Sequence, residues 1–399
     1  MNLRTGKSYW QALDPHPFVG ERLAGDARCE VAVIGGGITG ALVTHRLISE
    51  GVDVILIDRH EPGLGSTAAS TGLLQYEIDT PLVELIAKVG EEHALHAYRR
   101  GLRAIDQIED LLAGLGDDCG FCRHESLYFA SRRWHYGHLK EEFECRRRHG
   151  FDVRFLERDE LTEQSSIRAA GAIVSRGDAQ IDPYRLTQRL LAQSKSHGLR
   201  AFGETEVHSI DEDTDGVVLG LTTGRIRARR VVFATGYESG KYTRDDEGTL
   251  HSTFAMASEP LATDQGWPAG SLIWETARPY FYARRTPDGR AIIGGGDTSF
   301  STDHERDGLL ERKTAQLKRR FQRLFPQIPF EPAYCWAGTF GESKDGLAYI
   351  GQPSDYRHAY FAIGYGGNGI TFSAIAAQLI ADLYLGRPNV DADVFRFGR

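Results

Sequence analysis

Gly35, Gly37 and Gly40 form the pattern G-x-G-x-x-G, with Ile38 and Thr39 between the last two glycines. Glycines at this spacing let the backbone approach a pyrophosphate, and a helix opening behind them turns its positive end toward the phosphate charge. The residues before them, Glu30-Val31-Ala32-Val33-Ile34, are short, apolar and β-branched, which predicts a buried strand. A helix-compatible stretch runs from Ile38 to Glu50, and a second β-branched run, Val52 to Ile57, ends at Asp58 and Arg59. Asp58 lies about twenty residues beyond the loop, where a carboxylate accepts hydrogen bonds from ribose hydroxyls. Strand, glycine loop, helix, strand and acid in this order predict a dinucleotide site. The pattern does not separate NAD from FAD, because both present ribose and pyrophosphate to the same loop.

Three further segments bear on that choice. Gly65-Ser66-Thr67-Ala68-Ala69-Ser70-Thr71-Gly72-Leu73-Leu74 is small and hydroxylated. Val231-Val232-Phe233-Ala234 is a strand-like run ending in Thr235-Gly236. Gly366-Gly367-Asn368-Gly369-Ile370-Thr371 opens a second helix near the far end of the chain, which an NAD dehydrogenase does not need. Together these segments resemble the D-amino-acid oxidase and glycine oxidase superfamily of flavoproteins, over nearly the whole chain. The resemblance implies bound FAD, with residues 65–74 along the pyrophosphate and ribityl chain and Val207, Thr235 and Gly236 also at the cofactor. It also implies that the 366–371 segment sets a helix N-terminus near the flavin pyrimidine ring, where positive potential stabilises the anionic reduced form. Ser8-Tyr9-Trp10 and Leu23-Ala24-Gly25-Asp26 resemble the lead-in of bacterial γ-glutamylputrescine oxidase-like proteins.

The activity implied is oxidation of a small amine or amino acid. Hydride passes from the carbon bearing nitrogen to flavin N5, the imine hydrolyses, and O2 (giving H2O2) or a respiratory acceptor reoxidises the flavin. In this reading Arg284 fixes a substrate carboxylate, Tyr280 and Tyr282 face the flavin, and Arg285 points to the opposite face of its strand. Lys344 is the candidate cation that assists reaction with O2. Sarcosine oxidases carry a flavin-linking cysteine where this chain has Gly or Thr, and Cys335 lies further upstream, so FAD is expected to be noncovalent. Two alternatives stay open. A dehydrogenase of a hydroxy acid or sugar-phosphate alcohol would need a base that no residue here supplies recognisably, and a flavin-binding assembly or redox-sensing protein would need no turnover.

The elements that must position these residues read as an α/β fold. A Rossmann-type FAD domain is expected from 1–80, 166–240 and 335–399, and an α+β substrate domain on a mixed or antiparallel sheet from 81–165 and 241–334. Its 399 residues suit two such units. Pro81 to Leu112 is helical in pattern and is expected to leave the nucleotide domain. Strands are expected near 126–131, 151–155, 171–174, 207–210, 216–222, 230–234 and 254–261, with a hairpin turning at Pro287-Asp288-Gly289. Asp182 and Pro183 read as N-cap and first residue of a helix.

Composition excludes other classes. A net charge of −8 offers nothing to a phosphate backbone. The one basic block, Arg146-Arg147-Arg148, sits among Glu141, Glu142 and Glu144 and reads as a solvated helix face. Five sparse cysteines and an opening without an apolar run point to a cytoplasmic protein. Cys119 and Cys122 form a C-x-x-C with no second pair, and no metal-ligand spacing occurs. Gly369 to Leu385, interrupted by Ser373, Gln378 and Asp382, reads as a buried helix and not a membrane span.

Overall fold

The computed structural model describes residues 2–14, 17–242 and 248–399; Pro15 and His16, part of a polar lead-in, lie outside them. The first β-branched run ends the strand Ala27–Ile34, the helix Ile38–Ser49 follows the glycines, and the wholly buried strand Val54–Ile57 comes next. The two strands are parallel, Val31 opposite Val54 and Ile34 opposite Ile57. Their continuous apolar character follows from burial on both faces, the rule for parallel sheets.

Those strands sit in a sheet whose order is Tyr349–Gly351, Ala359–Ile363, Gly224–Phe233, Ala27–Ile34, Val54–Ile57, Arg200–Phe202. One face buries Val31, Val33 and Leu56 against the helices Ile38–Ser49, Pro183–Ser196 and Gly369–Tyr384. The other buries Ala32, Ile55 and Ile57 against Val217, Leu219 and Ile226 of a β-meander. Asp182 caps the helix Pro183–Ser196, accepting from the N–H groups of Tyr184 and Arg185.

The second sheet has ten strands and is mixed. Its order is Arg4–Gly6, Pro332–Glu342, Thr249–Ser258, Ala291–Ser299, Phe281–Arg285, Ser271–Glu275, Cys122–Phe129, Gly171–Gln180, Leu73–Leu74, with Val153–Glu157 also paired to Gly171–Gln180. Ser271–Glu275 runs parallel to Cys122–Phe129; the other pairings are antiparallel.

Strands from both sets of stretches build the second sheet. Gly171–Gln180, Leu73–Leu74, Arg4–Gly6 and Pro332–Glu342 fall within stretches assigned to the nucleotide domain, yet all four belong to the second sheet. A short apolar run announces a strand without saying which sheet it joins. The helix Glu91–Leu115 packs beside the first sheet. Its Ala94, Tyr98, Ile105 and Ile108 share one core with Val31 and Ile375.

The basic block needs a correction as well. Arg147 and Arg148 are exposed, but Arg146 is 0% exposed. Its Nε donates to Glu142 at 2.6 Å and its Nη1 to Glu77 at 3.1 Å. Among the described residues no helix is long and apolar enough to cross a membrane.

Candidate functional site

A long cleft opens where the two sheets meet, and its floor is the glycine loop. Gly35 adopts φ +105°, and a Cβ on it would stand 2.3 Å from the carbonyl oxygen of Ala234, so only glycine fits between the two strand ends. A Cβ on Gly40 would stand 1.8 Å from the Gly35 oxygen, which is how the helix comes so close to the strand. Asp58 fixes the loop: Oδ2 accepts from Gly36 N–H at 2.7 Å and Oδ1 from His60 N–H at 2.8 Å. Burial raises the Asp58 carboxyl above its ordinary value, against the pull of these two bonds.

Two helix N-termini open into this cleft. Ile38 N–H donates to the Thr67 hydroxyl at 2.9 Å, which draws the small-residue loop over the first helix start. The hydroxyls of Thr39 and Ser373 meet at 2.8 Å and tie that helix to Gly369–Tyr384. The second helix start is pinned by its own cap region: Asn368 Nδ2 donates to the carbonyls of Gln75 (3.2 Å) and Glu77 (2.8 Å), and Thr371 Oγ1 donates to Gln75 at 3.3 Å. Gly367 N–H donates to Asp79 Oδ2 at 2.7 Å, and Tyr280 donates to Asp79 Oδ1 at 2.9 Å.

Of the residues read from the sequence, Gly35, Gly37, Ile38, Thr39, Asp58, Arg59, Gly65, Ser66, Thr67, Ser70, Thr71, Leu73, Val207, Thr235, Gly236, Gly366, Gly367, Asn368, Gly369, Ile370 and Tyr282 all line the cleft. Gly40, Gly72 and Thr371 stand one layer behind it. Gly72 has φ +72°, and a Cβ there would meet the Ile181 oxygen at 2.2 Å. Arg59 pairs with Glu238 through two N···O contacts of 2.8 and 3.0 Å.

Arg284 and Lys344 do not line the cleft. Arg284 shares a strand face with Tyr282, but residues 70–72 cover it. Its Nε donates to the Thr71 carbonyl at 2.6 Å, Nη1 to Gln180 at 2.8 Å and Nη2 to the Ile181 carbonyl at 3.2 Å. Only 1% exposed, it braces that loop. Arg285 points the other way, to Asp264 at 2.5 Å, as strand alternation requires. Lys344 lies exposed on a turn after the strand Pro332–Glu342. Cys119 is buried and Cys122 exposed at the start of the strand Cys122–Phe129, away from the cleft lining.

Sequence reasoning missed Gln75, Glu77, Asp79 and Trp274, which also line the cleft. They sit in an irregular segment and in a strand that was not recognised, so no periodic signal marked them. Several buried polar atoms in the lining have no hydrogen-bond partner in the protein: Ser66 Oγ, Gln75 Nε2, Thr235 Oγ1, Trp274 Nε1 and Asp297 Oδ1. Buried polar groups are rarely left unpaired, so a ligand rich in donors and acceptors is the fitting occupant.

Residues 30–383 match the family DAO, FAD dependent oxidoreductase. This chain belongs to that family. The glycine loop, Asp58 and the two helix starts suit FAD, with unpartnered hydroxyls waiting along its length. The oxidoreductase is 27% identical over 367 residues to glycine oxidase of Geobacillus kaustophilus, covering 89% of this chain and 93% of that one. It is 25% identical over 370 residues to gamma-glutamylputrescine oxidoreductase of Escherichia coli, covering 90% and 84%. In structure it resembles the G. kaustophilus glycine oxidase with a TM-score of 0.78 at 23% identity, covering 94% of this chain and 99% of that one.

Proposed function

We propose that this oxidoreductase oxidises the C–N bond of a small amine or amino acid, with FAD held noncovalently. When bound, FAD supplies the two-electron acceptor for hydrogen removal from the carbon bearing nitrogen. The C–N bond becomes an imine, and water hydrolyses it to a carbonyl compound and free amine. O2 or a respiratory acceptor takes the electrons, and the protein works in the cytoplasm.

The observation that carries this reading is the joining of two helix N-termini to an aromatic chamber in one cleft. The glycine loop and the helix start behind it would hold the pyrophosphate, and Asp58 would hold the ribose. The small residues 65–71 allow close passage of the ribityl chain. The helix start at Gly369, pinned by Asn368, sets positive potential at the flavin's pyrimidine end. Trp274, Tyr280 and Tyr282 wall the remaining space, positioning substrate and excluding water. The G. kaustophilus and E. coli relatives, whose names specify glycine and an amine, support this class of substrate. No cysteine lines the cleft among the described residues, which favours noncovalent FAD.

The test is the absorption spectrum of the purified protein before and after acid precipitation, followed by anaerobic mixing with amines, amino acids and hydroxy acids. Flavin released to the supernatant and bleaching by a C–N substrate are the expected results. Bleaching by a hydroxy acid alone would refute the reaction class, and flavin retained on the precipitated protein would refute noncovalent binding.

A further inference from the structure

Where the larger sheet meets the second helix start, the cleft carries two carboxylates, Asp79 and Asp297, facing the aromatic wall of Trp274, Tyr280 and Tyr282. The carboxylate of Asp79 accepts from two neutral donors, the Tyr280 hydroxyl and Gly367 N–H. Arg278 donates to the backbone carbonyl of Asp79 at 2.9 Å, and its guanidinium lies 4.8 Å from the centre of the Tyr280 ring. Asp297 is less satisfied still: its Oδ1 is buried and has no donor. Lys313 Nζ donates to the Gly296 carbonyl at 2.6 Å and forms no ion pair with Asp297.

Burial pushes the Asp297 carboxyl up to about 6, and the charge of Asp79 adds to the shift against the Thr253 hydrogen bond and the charges of Lys313 and Arg278. Those cations act from a distance, and Lys313 spends its hydrogen bond on Gly296. Among the described residues lining the cleft, the side chains able to carry positive charge are Arg59 and His60, both beside Asp58 at the nucleotide end.

Building on the amine-oxidation reading, we propose that this end of the cleft takes an alkyl amine with a second, cationic nitrogen held at Asp297 and Asp79, in preference to an α-amino acid. An ammonium group brings the N–H donors that Asp297 Oδ1 lacks, and aromatic faces attract cations. An α-carboxylate would enter against two like charges. The reacting amine is neutral when its carbon gives up hydrogen, while the distant nitrogen keeps its proton and anchors the chain.

The experiment uses the full-length, FAD-loaded protein. Under anaerobic conditions it is mixed with cadaverine and hexamethylenediamine, and in parallel with glycine, N-methylglycine and D-alanine. Binding of protonated 2-amino-2-methylhexane, whose N–H groups sit on a carbon without hydrogen, and of hexanoate, neither of which can form an imine, is followed by the change in flavin absorbance. The diamines should bleach the flavin, and the cation should bind at least about tenfold tighter than the carboxylate. That preference should vanish in Asp297→Asn; should that variant not fold, the wild-type comparison of the two probes decides. If the amino acids bleach the flavin, the diamines do not, and hexanoate binds as tightly as the cation, the preference for cations is wrong and amine or amino-acid oxidation stands. If neither class bleaches it while dithionite does, the oxidation reading fails and this one with it.

Discussion

Removing Arg146 should cost far more than a residue in a run of arginines normally would. Its guanidinium joins Glu142 and Glu77, both buried, and lies 5.7 Å from the centre of the Tyr98 ring. Glu142 in turn accepts from Leu82 and Val83 N–H at 2.8 and 2.9 Å, holding a helix start, and Glu77 accepts from the Ser126 hydroxyl at 2.8 Å. Burial works to raise the Glu77 carboxyl, but a hydrogen bond with Asp178 and the charge of Arg146 hold it below its ordinary value. Burial and the charge of Glu77 drive Asp178 well above its own. Arg146→Met leaves two carboxylates buried without a cation, a loss of about 3–5 kcal/mol. The pH dependence follows from the sign of the change. Without Arg146 the folded-state value of Glu77 rises above the unfolded one, so the penalty is full at high pH and is relieved as falling pH protonates it. Urea unfolding followed by tryptophan fluorescence should therefore show a larger deficit at pH 8 than at pH 5. Adding Glu77→Gln and Glu142→Gln should recover much of it. A deficit below about 1 kcal/mol, or one equal at both pH values, would refute the reasoning, because it would mean the cluster is solvated as an ordinary surface pair is.

Three further outcomes are expected. Gly40→Ala puts a Cβ 1.8 Å from the Gly35 oxygen; a strain of about 1–3 kcal/mol should weaken FAD binding about tenfold or more, measured by titrating apoprotein with FAD and following flavin fluorescence. Arg284→Ala removes three buried hydrogen bonds and should cost about 3 kcal/mol or more in urea unfolding. It should leave the substrate KM of the folded enzyme unchanged; a raised KM with unaltered stability would restore the arginine to substrate binding. Affinity for protonated 2-amino-2-methylhexane should fall as pH drops through about 6, where Asp297 takes a proton, and Asp297→Asn should flatten that profile; an equal pH slope in the variant would assign the titration to another group.

The parts of the site that were legible are those whose chemistry demands a particular residue at a particular place in the backbone. Gly35 and Gly40 cannot carry a Cβ, and Asp58 ends a strand beside the loop it holds, so pattern and geometry coincide there. The substrate end offers no such constraint. Arg284 lies two residues from Tyr282, which lines the cleft. A strand of period two gives the face but not what covers it, and the loop ending at Gly72 covers Arg284. Asp79 and Trp274 reach the same chamber from a turn and from an unrecognised strand, and only the pairing of Ser271–Glu275 with Phe281–Arg285 and Cys122–Phe129 brings that wall together. Arg146 fails for the complementary reason. Helix periodicity among six charged neighbours cannot tell which charge turns inward, and Glu77, its distant partner, is 69 residues away. Local sequence thus carries what the backbone must do around a cofactor, while substrate selectivity rests on long-range pairings; that is why the carboxylates at Asp79 and Asp297, and not the arginine the strand pattern singled out, are the residues to change first when testing which amine this enzyme takes.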